Sequence, residues 1–326
     1  MASRIVPDDW LDKPCPSGYQ SHAMRISVVI PVKNAGALFP SVVEAILYQA
    51  IDGALELVLV DSGSTDGTRE WIDRKIRDDA RIRVLDIRPE EFNHGRTRNL
   101  GISATTGEVI ALTTQDGTPH DRSWLARMAA ALHSAPDIAG VTGRQVPYPD
   151  APLCVRREIV NHFERLDRAP AVFRKSEGDW SDDSFRQVAH FFSNNNAMIR
   201  RTAWEQVPFP EAAFGEDQRW AEAALARGWA KAYARDAVVR HSHNYSLRET
   251  FVRHRTEGAY YREAFGYVLV GRALDIPRLA WREWKADQAF QRAHPEWRVS
   301  RLQLPRSLAL SVAKLAGYCA GARQAQ

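Results

Sequence analysis

Apolar residues along this chain gather first into short continuous runs: "RISVVIP" (25–31), "LELVLV" (55–60), "RIRVLDI" (81–87) and "EVIALTT" (108–114). Such runs, rich in β-branched residues and closed by proline or small polar clusters, predict strands buried on both faces. Between them the apolar positions recur at helical spacing. Leu38, Val42, Ala45, Ile46 and Gln49 predict a helix over 38–50, and "TDGTREWIDRKI" opens another with Ser64, Thr65 or Asp66 as its cap. "GRTRNLGISAT" supplies a helical segment between the third and fourth strands. Strand and helix thus alternate through the first third of the chain, which predicts a parallel sheet covered on both faces, with ligands beyond the carboxyl ends of its strands.

The pattern then loosens. A helix is expected over 121–134 and a fifth strand at "DIAGVTG" (137–143). Residues 144–190 mix prolines, charges and aromatics without a period that places elements. "FFSNNNAMI" (191–199) reads as a strand with asparagines in its middle, and "EDQRWAEAALARGWA" (216–230) as an amphipathic helix. "VVRHSHNYS" (238–246) reads as a strand in which His241 and His243 share a face, and the chain beyond 246 reads as mostly helical.

Composition narrows the class. At 326 residues, 44% hydrophobic and 26% charged, the chain is a folded protein with one large core or two modest ones. Cys15, Cys154 and Cys319 are too far apart for a disulfide framework or a thiolate knuckle, which points to a reducing compartment. The sequence shows neither a signal-peptide pattern nor a run long enough to span a bilayer. With a net charge of +4 and basic residues interleaved with acids, a nucleic-acid partner is disfavoured. The tail differs: after Glu296 it keeps Arg298, Arg301, Arg306, Lys314 and Arg323 and no acid. There Leu304, Leu308, Val312, Leu315 and Cys319 form a helical stripe, to lie either on an anionic membrane surface or against the protein itself. Trp281, Trp284 and Trp297 have the same two uses.

Several side chains can carry chemistry. Asp61 and Asp116 each end a predicted strand, as ligand-binding carboxylates or as plain turn formers. "DSGSTDG" lacks the glycine spacing of a dinucleotide fold and the lysine of a phosphate loop. The carboxylate in "TTQDGTP" suits Mg2+ or Mn2+ with phosphate oxygens completing the shell, provided other ligands come from elsewhere. Arg96 and Arg98 in "HGRTRN" either clamp a diphosphate or line a solvated helix face. Glu216 and Asp217 open a helix, where one acid is explained by the exposed amides and a second is not. A positioned carboxylate there suits a general base.

Together "VVIPVKNAG", "VLVDSGSTDGT", "FNHGRTRNLG", "TTQDGTP", "SNNNAMIRR", "FGEDQRWA" and "HSHNYSLRE" resemble inverting glycosyltransferases of the GT-A class, family 2, bacterial rhamnosyltransferase-like branch. The resemblance implies an α/β GT-A fold, a mostly parallel central sheet flanked by helices. It implies a catalytic domain over 25–255 (nucleotide half 25–119, acceptor half 120–255), preceded by a lead-in over 1–24 that Pro7, Pro14, Pro16 and Gly18 suggest and followed by a helical extension over 256–326. It places the donor against Pro31, Asn34, Asp61, Ser62, Arg98, Asn99, Gln115 and Asp116, with Asp61 as the base-recognising carboxylate. Asp217 matches the catalytic base, with Glu216 orienting it or the acceptor. Asn194, Asn195 and Trp220 fall on the acceptor side. The family's Asp-x-Asp metal motif falls on Thr114-Gln115-Asp116 and lacks its first acid. Asp116, with His241 and His243 as rival or joint partners, is then the expected grip on a divalent cation, Mg2+ or Mn2+. The implied donor is a nucleoside diphosphate sugar, dTDP-rhamnose before UDP-hexose or UDP-N-acetylhexosamine. The implied acceptor is a saccharide or polyprenyl-linked oligosaccharide, and the implied place is the cytoplasm or the cytoplasmic face of the inner membrane. A non-catalytic sugar-nucleotide or glycan binder on the same fold is the other class that the missing acid allows.

Overall fold

A computed structural model describes residues 24–212, 214–300 and 303–324. The expected lead-in lies outside these except for Met24, as does Arg301 of the basic tail. The strands are β1 (Ile26–Val32), β2 (Leu55–Asp61), β3 (Ile82–Asp86), β4 (Val109–Thr113), β5 (Thr118–Pro119), β6 (Ile138–Val146), β7 (Val172–Phe173), β8 (Asn196–Arg200) and β9 (Ala230–Arg240). The helices are α1 (Phe39–Leu47), α2 (Thr68–Asp78), α3 (His94–Ser103), α4 (Trp124–His133), α5 (Leu153–Asp167) and α6 (Asp183–His190). They continue with α7 (Arg201–Gln206), α8 (Glu216–Ala226), α9 (Leu247–Phe265), α10 (Ile276–Ala293) and α11 (Leu304–Gln324). The described chain divides into two compact units, one running to Gln145 and including Arg165–His241, the other made of Val146–Glu164 and Ser242 onward.

In the first unit β3, β2, β1 and β4 are parallel neighbours, and the sheet continues through β8, β6, β9 and β5, with β7 paired to β9. Period-two alternation sorts its side chains into two cores. Val28, Ile30, Leu57 and Leu59 meet Val42, Ile46, Ile72 and Met128 from α1, α2 and α4. Val29, Val58, Val60 and Ile110 face the other way, onto Ile102, Ala203, Trp220 and Ala224 from α3, α7 and α8. A Cβ at Gly101 would collide with Val29 and Val60, so glycine is what lets α3 lie directly on the strands.

β1 runs through Pro31 to Val32, past the proline expected to stop it. Ile26 N donates to Ala54 O and Val32 O accepts from Ser62 N, so alternation turns the Pro31 nitrogen toward β4. Pairing with β4 has already ended there, at Val29 with Leu112, and the missing N–H costs no ladder bond. The strand expected over 191–199 is shorter: β8 begins at Asn196, because Asn194 and Asn195 are used in the site described below. β9 ends at Arg240, so His241 and His243 lie beyond it and do not share a strand face.

In the second unit α9 and α11 lie in close contact, since a Cβ at Gly317 or Gly321 would strike the α9 backbone at Phe251 or Arg255. Arg157 on α5 bonds Asp287 of α10 at 2.6 Å and pairs with Glu283. Lys314 of α11 pairs with Glu158 and reaches Glu283 at 3.4 Å. Of the expected apolar stripe, Leu315 and Cys319 are buried, Leu308 packs against the same cluster, and Val312 is exposed. Most of that stripe is therefore occupied by helix packing within the unit.

Candidate active site

Four parallel strands end on one rim, where Val32, Asp61 and Asp86 share a register line. Antiparallel β8 enters beside β4, with Thr113 opposite Asn196, and this brings Asn194 and Asn195 to the same rim. β9 leaves beside β5, with Thr118 opposite Arg240, so the next residue, His241, is delivered beside the Thr114-Gln115-Asp116 loop. Pairing register thus brings Asp61, the asparagines before β8 and His241 after β9 to one rim.

Asp61 is 2% exposed, and Ser64 supplies both of its contacts: Oγ to Oδ1 at 2.5 Å and N–H to Oδ2 at 3.2 Å. The Ser64 hydroxyl also accepts from Asn34 N at 2.9 Å, while Asn34 Oδ1 accepts from Thr65 N at 2.7 Å. Asn34 holds φ of 48°, a left-handed conformation that asparagine tolerates better than most residues. Ser64, expected at most as a helix cap, thus ties the first two strand-end loops together. Ser62 is buried and gives both N–H and Oγ to Val32 O. Gln115 clips the loop after β4 to the first, its Oε1 accepting from Lys33 N at 2.8 Å and its Nε2 donating to Lys33 O at 3.1 Å.

Asp116 Oδ1 lies 3.7 Å from His241 Nε2. His241 is 7% exposed, and its Nδ1 lies 3.2 Å from Gln145 Oε1, whose own Nε2 donates to Ser193 Oγ at 3.0 Å. With Nδ1 donating to that oxygen, Nε2 presents its lone pair toward Asp116, the arrangement in which a histidine ligates a metal. Gln145 has no signal in the sequence, since it sits where the periodicity dissolves. The Thr114 hydroxyl, at the position of the missing acid, is buried without a partner among the described residues. Nitrogen, carboxylate and hydroxyl donors of this kind fit Mn2+ or Mg2+ with oxygens from a diphosphate filling the remaining positions. His243 belongs to the second unit, where its ring stacks on Tyr245 with 4.7 Å between centroids.

The asparagines join this pair to the two acids. The Asn195 side-chain amide packs against His241, its Nδ2 3.3 Å from Nδ1, with no second hydrogen bond there once Nδ1 donates to Gln145, and Asn195 O accepts from Thr113 Oγ1 at 3.0 Å. Asn194 donates its backbone N–H to Asp217 Oδ2 at 3.2 Å and its Nδ2 to Glu216 Oε1 at 3.1 Å. Glu216 Oε1 also accepts from Arg98 at 2.7 Å, both side chains being 7% exposed or less. The second Asp217 oxygen accepts from Gln218 N at 2.8 Å. Burial, and next the Glu216 charge, raise the Asp217 carboxyl to about 7 against the opposing pull of Asn194 N–H and Arg98. Burial and a like charge here outweigh the helix N-terminus, which by itself favours ionisation.

Some expected contacts fall elsewhere. Arg98 faces Glu216 and not an open diphosphate pocket, since a buried carboxylate needs a buried counter-ion. Asn99 is spent on Trp204 Nε1 and Phe209 N, both of which donate to its Oδ1. Trp220, expected beside the acceptor, is fully buried: its ring packs on Phe192 and Phe209 at 5.0 and 5.4 Å, and its Nε1 donates to Val207 O. An indole on the inner face of α8 is core.

Residues 27–207 match the family model described as Glycosyl transferase family 2. The chain belongs to that family. This family 2 glycosyltransferase is 36% identical over 242 residues to the O-antigen chain rhamnosyltransferase RfbN of Salmonella typhimurium, covering 73% of each chain. It is 30% identical over 239 residues to the O-antigen chain rhamnosyltransferase WbaN of Salmonella anatum, covering 72% of this chain and 71% of that one. Among solved structures it is similar to the mannosyltransferase PcManGT from Pyrobaculum calidifontis in complex with GDP-Man and Mn2+. The TM-score is 0.62 at 20% identity, with 97% of this chain and 91% of that one covered. Staphylococcus aureus TarS in complex with UDP-GlcNAc superposes with a TM-score of 0.52 at 16% identity, covering 93% of both chains. The fold is that of the GT-A glycosyltransferases.

Proposed function

We propose that this glycosyltransferase moves a deoxyhexose, rhamnose from dTDP-rhamnose, onto a saccharide or polyprenyl-linked oligosaccharide of a bacterial polysaccharide, with inversion at the anomeric carbon. The observation that carries the mechanism is the Asp217 carboxylate, tied by Asn194 to the segment whose next residue meets His241 and, through it, Asp116. The rhamnosyl reading rests on the similarity to RfbN and WbaN.

Asp217 takes the proton of the acceptor hydroxyl, and that oxygen attacks the anomeric carbon from the side opposite the nucleoside diphosphate. A proton affinity near 7 suits a base working at neutral pH, ionised often enough to act and basic enough to accept. Glu216, neutralised by Arg98, holds Asn194 so that its N–H fixes one Asp217 oxygen. Asp116 and His241 would hold a divalent cation, which supplies charge neutralisation for the departing diphosphate. Asp61 is assigned the nucleobase side, where Ser64 keeps its carboxylate turned into the loop. A polyprenyl-linked acceptor would place the work at a membrane surface; among the described residues no helix is long and apolar enough to cross a membrane.

Turnover on a lipid-linked oligosaccharide with dTDP-rhamnose, UDP-glucose, UDP-GlcNAc and GDP-mannose, with NMR of the first-formed linkage, tests this. The expected result is preferred use of dTDP-rhamnose with inverted configuration. Faster transfer from another donor overturns the sugar, and a retained configuration overturns the single-displacement mechanism.

A further inference from the structure

Large apolar side chains exposed to solvent concentrate in one stretch of the second unit: Val268 at 49%, Leu269 at 46%, Leu274 at 82% and Trp281 at 52%. Packing explains the opposite face of α10, where Ala280, Asp287 and Phe290 are buried. It does not explain the outer face, along which Arg278, Trp281 and Lys285 follow one another at helical spacing and are exposed, with exposed Leu274 in the turn just before the helix. Trp281 stacks on Trp284 with centroids 4.8 Å apart and planes at 15°, and the Lys285 ammonium sits 5.4 Å above the Trp281 ring. Single exposed hydrophobes are ordinary, whereas a cluster of this kind marks an interaction surface.

Charge selects the partner. Arg272, Arg282 and Lys285 are exposed around the apolar side chains, with Arg278 exposed beside them but paired with Asp275. The acids of the stretch are already used: Asp275 pairs with Arg278 at 3.5 Å, and Glu283 is turned onto Arg157 and Lys314. A second copy of the chain docked symmetrically would set like charge against like. A saccharide platform would use the stacked indoles but leave Val268, Leu269 and Leu274 without a role. An anionic lipid surface uses every component, with aliphatics entering the acyl boundary, tryptophans at the headgroup level and cations on phosphate.

We propose that the outer face of α10, with the loop from Val268 to Leu274 that precedes it, docks this glycosyltransferase on an anionic lipid bilayer. The inference deepens the reading that the acceptor is membrane-linked, and it transfers the membrane role from the α11 stripe to α10.

The test is co-flotation of the full chain with phosphatidylcholine vesicles, with and without phosphatidylglycerol. The wild type is expected to float with anionic vesicles and to lose them as salt rises. Leu274→Ser with Trp281→Ser should weaken binding roughly tenfold or more, and Arg282→Gln with Lys285→Gln about fivefold for each cation removed. If the serine pair lowers the urea midpoint, the glutamine pair carries the test. Equal binding to neutral and anionic vesicles, or variants that float like the wild type, would overturn the proposal. So would wild-type self-association or soluble-oligosaccharide binding that the serine pair abolishes while vesicle binding stays. Transfer to a water-soluble acceptor is expected to be unchanged in both variants; wild-type flotation without any transferase activity would refute the proposed function and leave the docking face standing.

Discussion

Replacing Glu216 with glutamine isolates the electrostatics around the base. Glu216 and Asp217 both bond Asn194, and the Glu216 charge ranks next after burial among the causes raising Asp217. A second carboxylate sharing a site raises a carboxyl strongly, and a guanidinium within about 4–6 Å lowers one by roughly 1–3 units. Removing that charge also leaves the Arg98 guanidinium uncompensated, and its attraction moves Asp217 in the same downward direction. The base must be ionised to act, so the rate falls as pH drops through its folded-state value. In the wild type the acid limb of kcat/KM is therefore expected near 7. In the variant it should move down by roughly one unit or more, so that relative activity at mildly acidic pH rises even if the maximum falls. The glutamine oxygen can still accept from Arg98, but a buried cation has lost its counter-charge, at a cost of about 3 kcal/mol in stability. The assay is initial-rate kinetics over mildly acid to mildly alkaline pH, with a urea titration of each protein. A variant that loses stability but keeps the wild-type acid limb would refute the assignment of that limb to Asp217 beside Glu216.

Other consequences follow from the same contacts. Gln145→Ala, which removes the acceptor facing His241 Nδ1, should weaken Mn2+ binding roughly ten- to a hundredfold, read by a metal titration on the enzyme alone; unchanged affinity would remove Gln145 from the metal shell. Trp220→Ala should cost about 3–5 kcal/mol in urea unfolding while leaving the acceptor KM of the remaining folded enzyme unchanged, because the indole is core; a selective rise in that KM would restore it to the acceptor site. Asp217 also has a stability signature. Its folded-state proton affinity lies above the ordinary carboxylate value, so its contribution favours folding below the unfolded pKa and is lost as pH rises toward about 7, and Asp217→Asn should flatten that decline in a series of urea midpoints.

Much of the nucleotide half was legible because its strands are buried on both faces and its loops carry glycine and small polar residues. The runs at 25–31, 55–60, 81–87 and 108–114 all became parallel strands. Residues 144–190 were not legible because α5 packs charged side chains: Arg157 is buried against Asp287, 130 positions away, and that erases the apolar period. Arg98 could be read as a diphosphate clamp because its partner, Glu216, is 118 residues distant. The acids at 216 and 217 could be placed at a helix start, but their unequal roles depend on Asn194 reaching them from the entrance to β8. Trp220 shows the limit of a helical stripe, since periodicity marks the apolar face and cannot separate core from ligand contact.

The account depends on Asp217 as the proton acceptor. Asp217→Asn keeps the size of the side chain and removes its basicity, so the decisive measurement is its single-turnover rate with donor and acceptor saturating, alongside donor affinity by calorimetry. The account predicts a rate lower by roughly 10²-fold or more with donor binding nearly unchanged. A variant that transfers sugar at the wild-type rate would contradict it.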